Sequence, residues 1–106
     1  MRNISLALAY DGTNYHGWQW QTGVVTVEQK VREALQKILD HEIKIYAGAR
    51  TDSGVHAMDQ VINFVTEKGI SLQGLSRGLN SLLPPDIRVM GARDVDEGFH
   101  ARYSAR

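Results

Sequence analysis

The chain has 106 residues, which is long enough for one domain with a hydrophobic core and too short for two. It contains no cysteine, which excludes disulfide bonds and thiolate metal sites and is compatible with the reducing cytoplasm. Twelve basic and twelve acidic side chains give a net charge of zero, which argues against a strongly basic nucleic-acid-binding protein but not against a local basic face.

No apolar run approaches the length of a membrane-spanning helix, and no signal-peptide core follows the first residues, so we expect no membrane association. Arginine is concentrated in the last thirty residues, and a guanidinium group suits phosphate better than an ammonium group does. These arginines are Arg77, Arg88, Arg93, Arg102 and Arg106. They form either a phosphate-binding face or a set of scattered, solvated charges.

The first half of the chain has the pattern strand, helix, strand. Apolar side chains alternate over residues 3–10, as they do in a half-buried strand. After a long loop, an apolar stripe at helical spacing predicts a helix over residues 26–40. Residues 42–47 alternate again and predict a second strand.

The second half repeats this pattern. An apolar run at residues 61–66 predicts a third strand, and leucines at helical spacing predict a second helix from Ser71 to the Pro84-Pro85 pair. Residues 86–95 predict a fourth strand. The order β-α-β-β-α-β indicates an α+β fold of the ferredoxin-like type, in which a four-stranded antiparallel sheet carries both helices on one face. Many functions share this topology, so the fold alone does not indicate one.

Local signals mark the ends and faces of the helices. Thr26 and Gln29 have the spacing of a capping box at the start of the first helix. Glu28 and Arg32 are predicted to form an i,i+4 pair on its solvated face. Gly78, one of two glycines in the second helix, weakens that helix by roughly 1 kcal/mol relative to alanine, so tertiary packing must hold it.

The loop between the second and third predicted strands contains the first candidate for chemistry. Arg50 and Asp52 lie one residue apart among small residues in YAGARTDSGVHAMDQV, at residues 46–61. If the guanidinium pairs with the carboxylate, it lowers the pKa of Asp52 and keeps it an ionised nucleophile or general base. The alternative is a turn clamp, in which the same pair only closes the loop. Spacing alone slightly favours the clamp.

Other kinds of site fit this segment less well. Ser53, His56 and Asp59 have the residue types of a hydrolase triad, but they are too close in sequence, because triad members come from separate elements. The four histidines of the chain show no metal-ligand spacing, so we expect no metal site.

The sequence Asp52-Ser53-Gly54 is similar to the D-[ST]-G motif of aspartic proteases, whose retroviral members are homodimers of chains of about this length. Those proteins are nearly all β, whereas the best-marked element of this chain is a helix. A second apolar-apolar-Gly segment is also missing near the C-terminus. A retroviral-type protease is therefore only a remote alternative.

Aromatic residues are concentrated in the loop after the first strand. Tyr10, Tyr15, Trp18 and Trp20 all lie within YDGTNYHGWQW, at residues 10–20. Aromatic side chains in a polar loop can stack on nucleobases. Alternatively, one or two of them fold inward as core anchors, and this alternative is favoured for Trp18, which follows a glycine.

Six short segments are together more specific than any one of them. They are YDGTNYHGWQ (10–19), VEQ (27–29), RTDSGVHA (50–57), QV (60–61), LNSLLPPDI (79–87) and FHARYSA (99–105). In this order and at this spacing they resemble the tRNA pseudouridine synthase A family. The resemblance covers almost the whole chain, and RTDSGVHA is its most specific part.

The resemblance implies isomerisation of uridine to pseudouridine in the anticodon stem-loop of tRNA. It also implies a cytoplasmic homodimer that needs no metal and no organic cofactor. Asp52 matches the family's catalytic aspartate, and Arg50 matches the arginine that pairs with it and helps to fill the space left by the flipped base. Further residues are expected to bind the substrate: Thr51, Tyr10, Tyr15, Trp18, Gln19, His56, Arg77, Arg88, His100 and Arg102.

The chain departs from the family's pattern in three ways. Ala49 and Asp59 stand where the family usually has glycine, and Asp59 adds negative charge near an expected phosphate-binding surface. Family members are also much longer, with a second similar domain that supplies an active-site tyrosine and much of the dimer contact. We therefore expect residues 1–106 to be the N-terminal domain and to have little or no activity alone.

A non-catalytic RNA-binding domain with the same topology is the main alternative function. RNA-recognition motifs carry base-stacking aromatic residues on their third strand. The third predicted strand here, within HAMDQVINFV, lacks that pattern. This alternative therefore survives only as a chain that binds RNA without turning it over.

Overall fold

The structure is a computed structural model that describes residues 1–48 and 57–99. In these ranges the elements are β1 (Arg2–Tyr10), a 3-10 turn (Gly12–Asn14), α1 (Val27–Leu39), β2 (Tyr46–Ala47), β3 (Ala57–Thr66), α2 (Leu72–Leu82) and β4 (Ile87–Val95). The strands form an antiparallel sheet in the order β2-β3-β1-β4. This arrangement confirms the predicted α+β, ferredoxin-like fold. No helix in the described ranges is long and apolar enough to cross a membrane.

One face of the sheet is apolar and packs against both helices. Ile4, Leu6 and Leu8 alternate along β1 and are fully buried, as are Ile62 and Phe64 on β3. Side chains from the inner faces of the helices belong to the same core: Val27, Val31, Leu35 and Leu39 from α1, and Leu75 and Leu79 from α2. Burial of each large apolar side chain contributes about 1.5–3 kcal/mol, so the alternation along β1 decides which face of the sheet receives the helices.

The opposite face of the sheet contains two buried asparagines, Asn3 and Asn63. Asn63 donates from Nδ2 to Oδ1 of Asn3 at 3.0 Å, and Asn3 donates from its own Nδ2 to the carbonyl oxygens of Asp96 and Phe99, both at 2.9 Å. Both asparagines are buried, and these bonds offset the desolvation of their amides. The segment after β4 therefore turns back towards β1, which holds it by a side chain.

Both helices begin with a side-chain cap at the predicted starting residue. Oγ1 of Thr26 accepts from the backbone N–H of Gln29 at 3.3 Å, and Oγ of Ser71 accepts from that of Gly74 at 3.0 Å. The Gln29 side chain donates forward to Glu33 at 3.4 Å rather than back to Thr26. The threonine half of the capping box thus forms, and the glutamine instead supports the first turns of the helix.

Gly78 has a packing role that helix propensity does not reveal. A Cβ atom at this position would lie 3.0 Å from Cδ1 of Ile38 on α1. The missing side chain therefore lets the two helices approach closely. This packing offsets the roughly 1 kcal/mol that glycine costs within a helix.

Two strands differ in extent from the prediction. Residues 42–47 alternate in hydrophobicity, but only the last two, which form β2, pair with β3. Ile43 and Ile45 are buried in the core, so their alternation reports burial rather than strand pairing. β3 begins at Ala57, earlier than predicted, because β1 extends far enough to pair Tyr10 with Ala57.

Candidate functional site

Three of the motif segments leave the sheet at the same end. Tyr10, the last residue of β1, pairs with Ala57 at the start of β3 and with Ile87 at the start of β4. The N–H of Gly48 donates to the carbonyl of Val61 at 2.9 Å, which brings the chain after β2 towards that end as well. The loop after β1, the chain entering β3 and the turn entering β4 are therefore neighbours.

The predicted catalytic pair belongs to the chain between Gly48 and Ala57. Several predicted site residues lie outside the described residues: Arg50, Thr51, Asp52, His56, His100 and Arg102. Their roles stay predictions.

The loop after β1 places most of its aromatic rings in the core. Tyr10, Tyr15 and Trp18 are buried, and the rings of Tyr10 and Trp18 stack with their centroids 6.2 Å apart and their planes at 24°. Trp18 is therefore a core anchor, as the alternative interpretation proposed, and both tyrosines are core anchors too. The predicted contacts of these three rings with a substrate stay predictions. Gln19 and Trp20, which follow them, are exposed.

Asp86, which directly precedes β4, binds the beginning of this loop. The Tyr15 hydroxyl donates to Oδ1 of Asp86 at 2.5 Å, and the N–H of Asp11 donates to the Asp86 carbonyl at 2.9 Å. Burial raises the pKa of Tyr15 above its usual range, and the hydrogen bond to Asp86 and the charge of that carboxylate add to the shift. The hydroxyl therefore remains a donor at physiological pH. The segments YDGTNYHGWQ and LNSLLPPDI meet at this bond.

Glu28 fastens the end of the loop to α1. Its Oε1 accepts from the backbone N–H of Trp20 at 2.7 Å, and its Oε2 accepts from Nη2 of Arg32 at 2.9 Å. The N–H of Glu28 donates to the Trp18 carbonyl at 2.9 Å. The predicted pair with Arg32 is confirmed, but its predicted placement on the solvated face is wrong, because the loop covers Glu28 and leaves it 8% exposed. The segment VEQ thus joins the first motif.

Gly17 provides the turn between the part of the loop bound by Asp86 and the part bound by Glu28. Its φ of 86° lies in the left-handed region, which favours glycine. Its carbonyl accepts from the N–H of Val27 at 3.2 Å, and the N–H of His16 donates to the Val25 carbonyl at 2.9 Å. The loop therefore folds back on the start of α1 through its own backbone.

Asn80 is a supporting residue that the sequence reasoning missed. Its Nδ2 donates to the carbonyl of Val89 at 3.0 Å, and its Oδ1 accepts from the N–H of Val89 at 2.8 Å. The register of β4 against β1 shifts next to Val89, so this paired bond ties α2 to an irregular part of β4. The sequence feature that could have identified Asn80 was its position inside the motif segment LNSLLPPDI.

Among the predicted phosphate-binding arginines, Arg77, Arg88 and Arg93 lie in the described ranges, and Arg93 is exposed on β4 opposite Ser5. Arg77 and Arg88 are also exposed, but Arg77 is on α2 and Arg88 is on β4, opposite Ala9 on β1. Arg88 is therefore close to the end of the sheet where the motif segments leave it. The described ranges contain no group of three or more His, Asp or Glu side chains that could hold a metal ion.

Asp59, a departure from the family's usual residue, is exposed near the start of β3. It lines an open cavity of about 360 Å³ together with Ser5, Ala7, Val61, Gly91, Ala92 and Arg93. Most of these residues lie on the sheet face opposite the helices, since they alternate with the core residues of β1 and β3. The cavity thus contains side chains of both charges.

Comparison with known proteins agrees with the motif segments. A family model described as tRNA pseudouridine synthase matches residues 6–104. The chain is 49% identical over 106 residues to tRNA pseudouridine synthase A of Thermoanaerobacter sp. (strain X514), a match that covers 100% of this chain and 43% of that protein. It is 50% identical over 102 residues to the protein of the same name from Legionella pneumophila (strain Lens), covering 96% of this chain and 39% of that protein.

A third relative, tRNA pseudouridine synthase A of Acetivibrio thermocellus, is 44% identical over 106 residues, or 100% of this chain and 43% of that protein. The chain thus spans about two fifths of the length of these curated relatives. Since the family model matches nearly every residue, the chain belongs to the tRNA pseudouridine synthase family.

Proposed function

We propose that this chain is part of an enzyme that isomerises uridine to pseudouridine in the anticodon stem-loop of tRNA. The family match over residues 6–104 carries the proposal. The grouping of motif segments at one end of the sheet supports it, because the chain between Gly48 and Ala57, which contains Asp52, is attached there. Because these segments are neighbours, residues from separate parts of the chain can contact the same nucleotide.

The chemistry requires a group such as Asp52. The C1′–N1 glycosidic bond breaks, the uracil turns, and C5 forms a new bond to C1′. C5 loses its hydrogen and N1 gains one, so the composition of the nucleotide does not change. An ionised carboxylate can attack the sugar or remove its 2′ proton, and it stabilises positive charge that develops at C1′.

The substrate base must also leave its stack. A target within a stem is unavailable for chemistry until it is extruded, and a guanidinium such as that of Arg50 can fill the gap that remains. Arg77, Arg88 and Arg102 would bind phosphates, which position the RNA without reading its sequence. We further propose that the whole protein acts as a cytoplasmic homodimer.

The decisive experiment replaces Asp52 in the product of the complete reading frame. Asp52→Ala should lower tritium release from tRNA labelled at uridine C5 by more than about 1,000-fold, as expected for loss of a catalytic nucleophile or base. Retention of the tRNA on a filter should change little, because binding rests on phosphate contacts elsewhere. The 106-residue chain should release little tritium, because it spans only two fifths of its relatives.

Asp59→Asn is a matched control. It removes a carboxylate from the same segment and lies on the described, exposed part of β3. This variant should retain measurable turnover. Undiminished turnover by Asp52→Ala would exclude the proposed role of Asp52.

A further inference from the structure

We propose that Trp20 is a stacking platform for an unpaired base of the RNA substrate. The inference rests on the proposed function, because it assumes that RNA approaches the end of the sheet where the motif segments leave it. The family resemblance predicted substrate contacts for Tyr10, Tyr15 and Trp18, but these rings are buried. Trp20 is 41% exposed, so it is the aromatic side chain of residues 10–20 that RNA can reach.

The backbone of Trp20 is held in place before any ligand binds. Its N–H donates to the largely buried carboxylate of Glu28 at 2.7 Å. A hydrogen bond to an ionised acceptor is stronger than one between neutral groups. An aromatic group fixed in this way loses little conformational entropy when a second ring stacks on it.

The indole ring is supported from one side by Arg32. The guanidinium carbon of Arg32 lies over the ring, 4.8 Å from its centroid, within the range of a cation–π contact. Nη2 of Arg32 binds Glu28 at 2.9 Å, while its Nε is buried without a hydrogen-bond partner in the described ranges. The guanidinium therefore lies over the ring, while Trp20 remains 41% exposed.

The surroundings of Trp20 favour a nucleobase over a protein partner. The side chains next to Trp20 in sequence, Gln19, Gln21 and Thr22, are polar and exposed, whereas protein interfaces are apolar at their buried centre. A single exposed ring among polar groups suits stacking on a base, which every base permits because each has a π-face.

RNA-binding measurements on substituted proteins test the proposal. Trp20→Leu should weaken binding of an anticodon stem-loop RNA by roughly 5- to 150-fold, which corresponds to the loss of one stacked base. Trp20→Phe, which keeps an aromatic face, should lose much less. The slope of log affinity against log salt should not change, because no phosphate contact is removed.

Val65→Ala is the matched control. Val65 has the same exposed fraction of 41% but pairs with Asn3, towards the opposite end of the sheet. This variant should bind RNA as the unsubstituted protein does. Thermal unfolding of each variant checks that the fold is retained.

Fluorescence provides an independent measurement. Residues 1–106 contain two tryptophans, and Trp18 is only 2% exposed, so acrylamide quenching of this 106-residue chain reports mainly on Trp20. Bound RNA should quench Trp20 and protect it from acrylamide, and Trp20→Phe should remove this response. If raising the protein concentration without RNA gives the same protection, a second copy covers Trp20 and the proposal is wrong.

The outcomes separate this inference from the proposed function. Equal RNA affinity of Trp20→Leu and the unsubstituted protein overturns the platform, while tritium release by the unsubstituted protein leaves the isomerase standing. If the unsubstituted full-length protein neither binds nor isomerises tRNA, the proposed function itself fails.

Discussion

The loop over residues 11–25 is fastened at two places, and both fastenings use a carboxylate. Asp86 accepts a hydrogen bond from the side chain of Tyr15, so the aromatic ring is drawn into the core. Glu28 accepts a hydrogen bond from the backbone of Trp20, so the loop is fixed while the indole stays exposed.

The difference shows how one loop can contain aromatic rings that stabilise the fold and another ring that is exposed to a ligand. Where a carboxylate binds a side-chain group, the aromatic ring contributes to folding. Where it binds the backbone, the ring is positioned but remains free to contact a ligand. Trp18 is buried in the core and Trp20 is 41% exposed, so the two tryptophans should respond very differently to the same substitution.

The largest expected effect is a difference in stability between substitutions of Trp18 and Trp20. Trp18→Ala should lower the free energy of unfolding by about 3–5 kcal/mol, because it removes a buried ring and leaves a cavity. Trp20→Ala should lower it by less than about 1 kcal/mol, since a partly exposed side chain leaves no cavity. Urea unfolding of both variants measures the difference, and similar losses would contradict the assignment of separate roles.

A smaller effect is expected from removing the hydrogen bond between Tyr15 and Asp86. Asp86→Ala should cost about 2 kcal/mol, because it leaves the buried hydroxyl of Tyr15 without its charged acceptor. Tyr15→Phe should cost less, since the half-buried Asp86 can be hydrated. A double-mutant cycle should give a coupling energy of about 1–2 kcal/mol between these residues, whereas additive losses would show that the bond contributes nothing.

The smallest effect appears only at alkaline pH. The folded-state pKa of Tyr15 is raised above the ordinary value of 10.0. The stabilisation from this shift is therefore fully present below about pH 10 and is lost as the pH rises towards the folded-state pKa, by up to about 1.4 kcal/mol per pH unit. Urea unfolding at several pH values should show a steeper alkaline loss for the unsubstituted protein than for Tyr15→Phe. Parallel curves would contradict this linkage.

Much of the fold could be predicted from the sequence, because its signals are local. The alternation in β1, the helical stripes and the caps at Thr26 and Ser71 all depend on residues within a few positions of one another. The extent of β2 could not be predicted in this way. Ile43 and Ile45 alternate because both enter the core, and the same pattern arises with or without a paired strand.

The site was less predictable, because its contacts join distant segments. Glu28 has the sequence environment of a solvated helix residue, and only the returning loop buries it. The paired bond of Asn80 with Val89 likewise depends on how α2 lies against β4. Within a loop, no periodicity distinguishes an inward ring such as Trp18 from an outward one such as Trp20.

The strand order has a consequence for synthesis on the ribosome. β1 lies between β3 and β4, so this inner strand of the sheet emerges before either of its neighbours. Its hydrogen-bonding groups cannot all be paired until Ile87–Val95 has been translated. Such non-local pairing slows folding, and an open strand edge invites association with other chains. A nascent chain of this protein is therefore most vulnerable to aggregation in the interval before β4 appears.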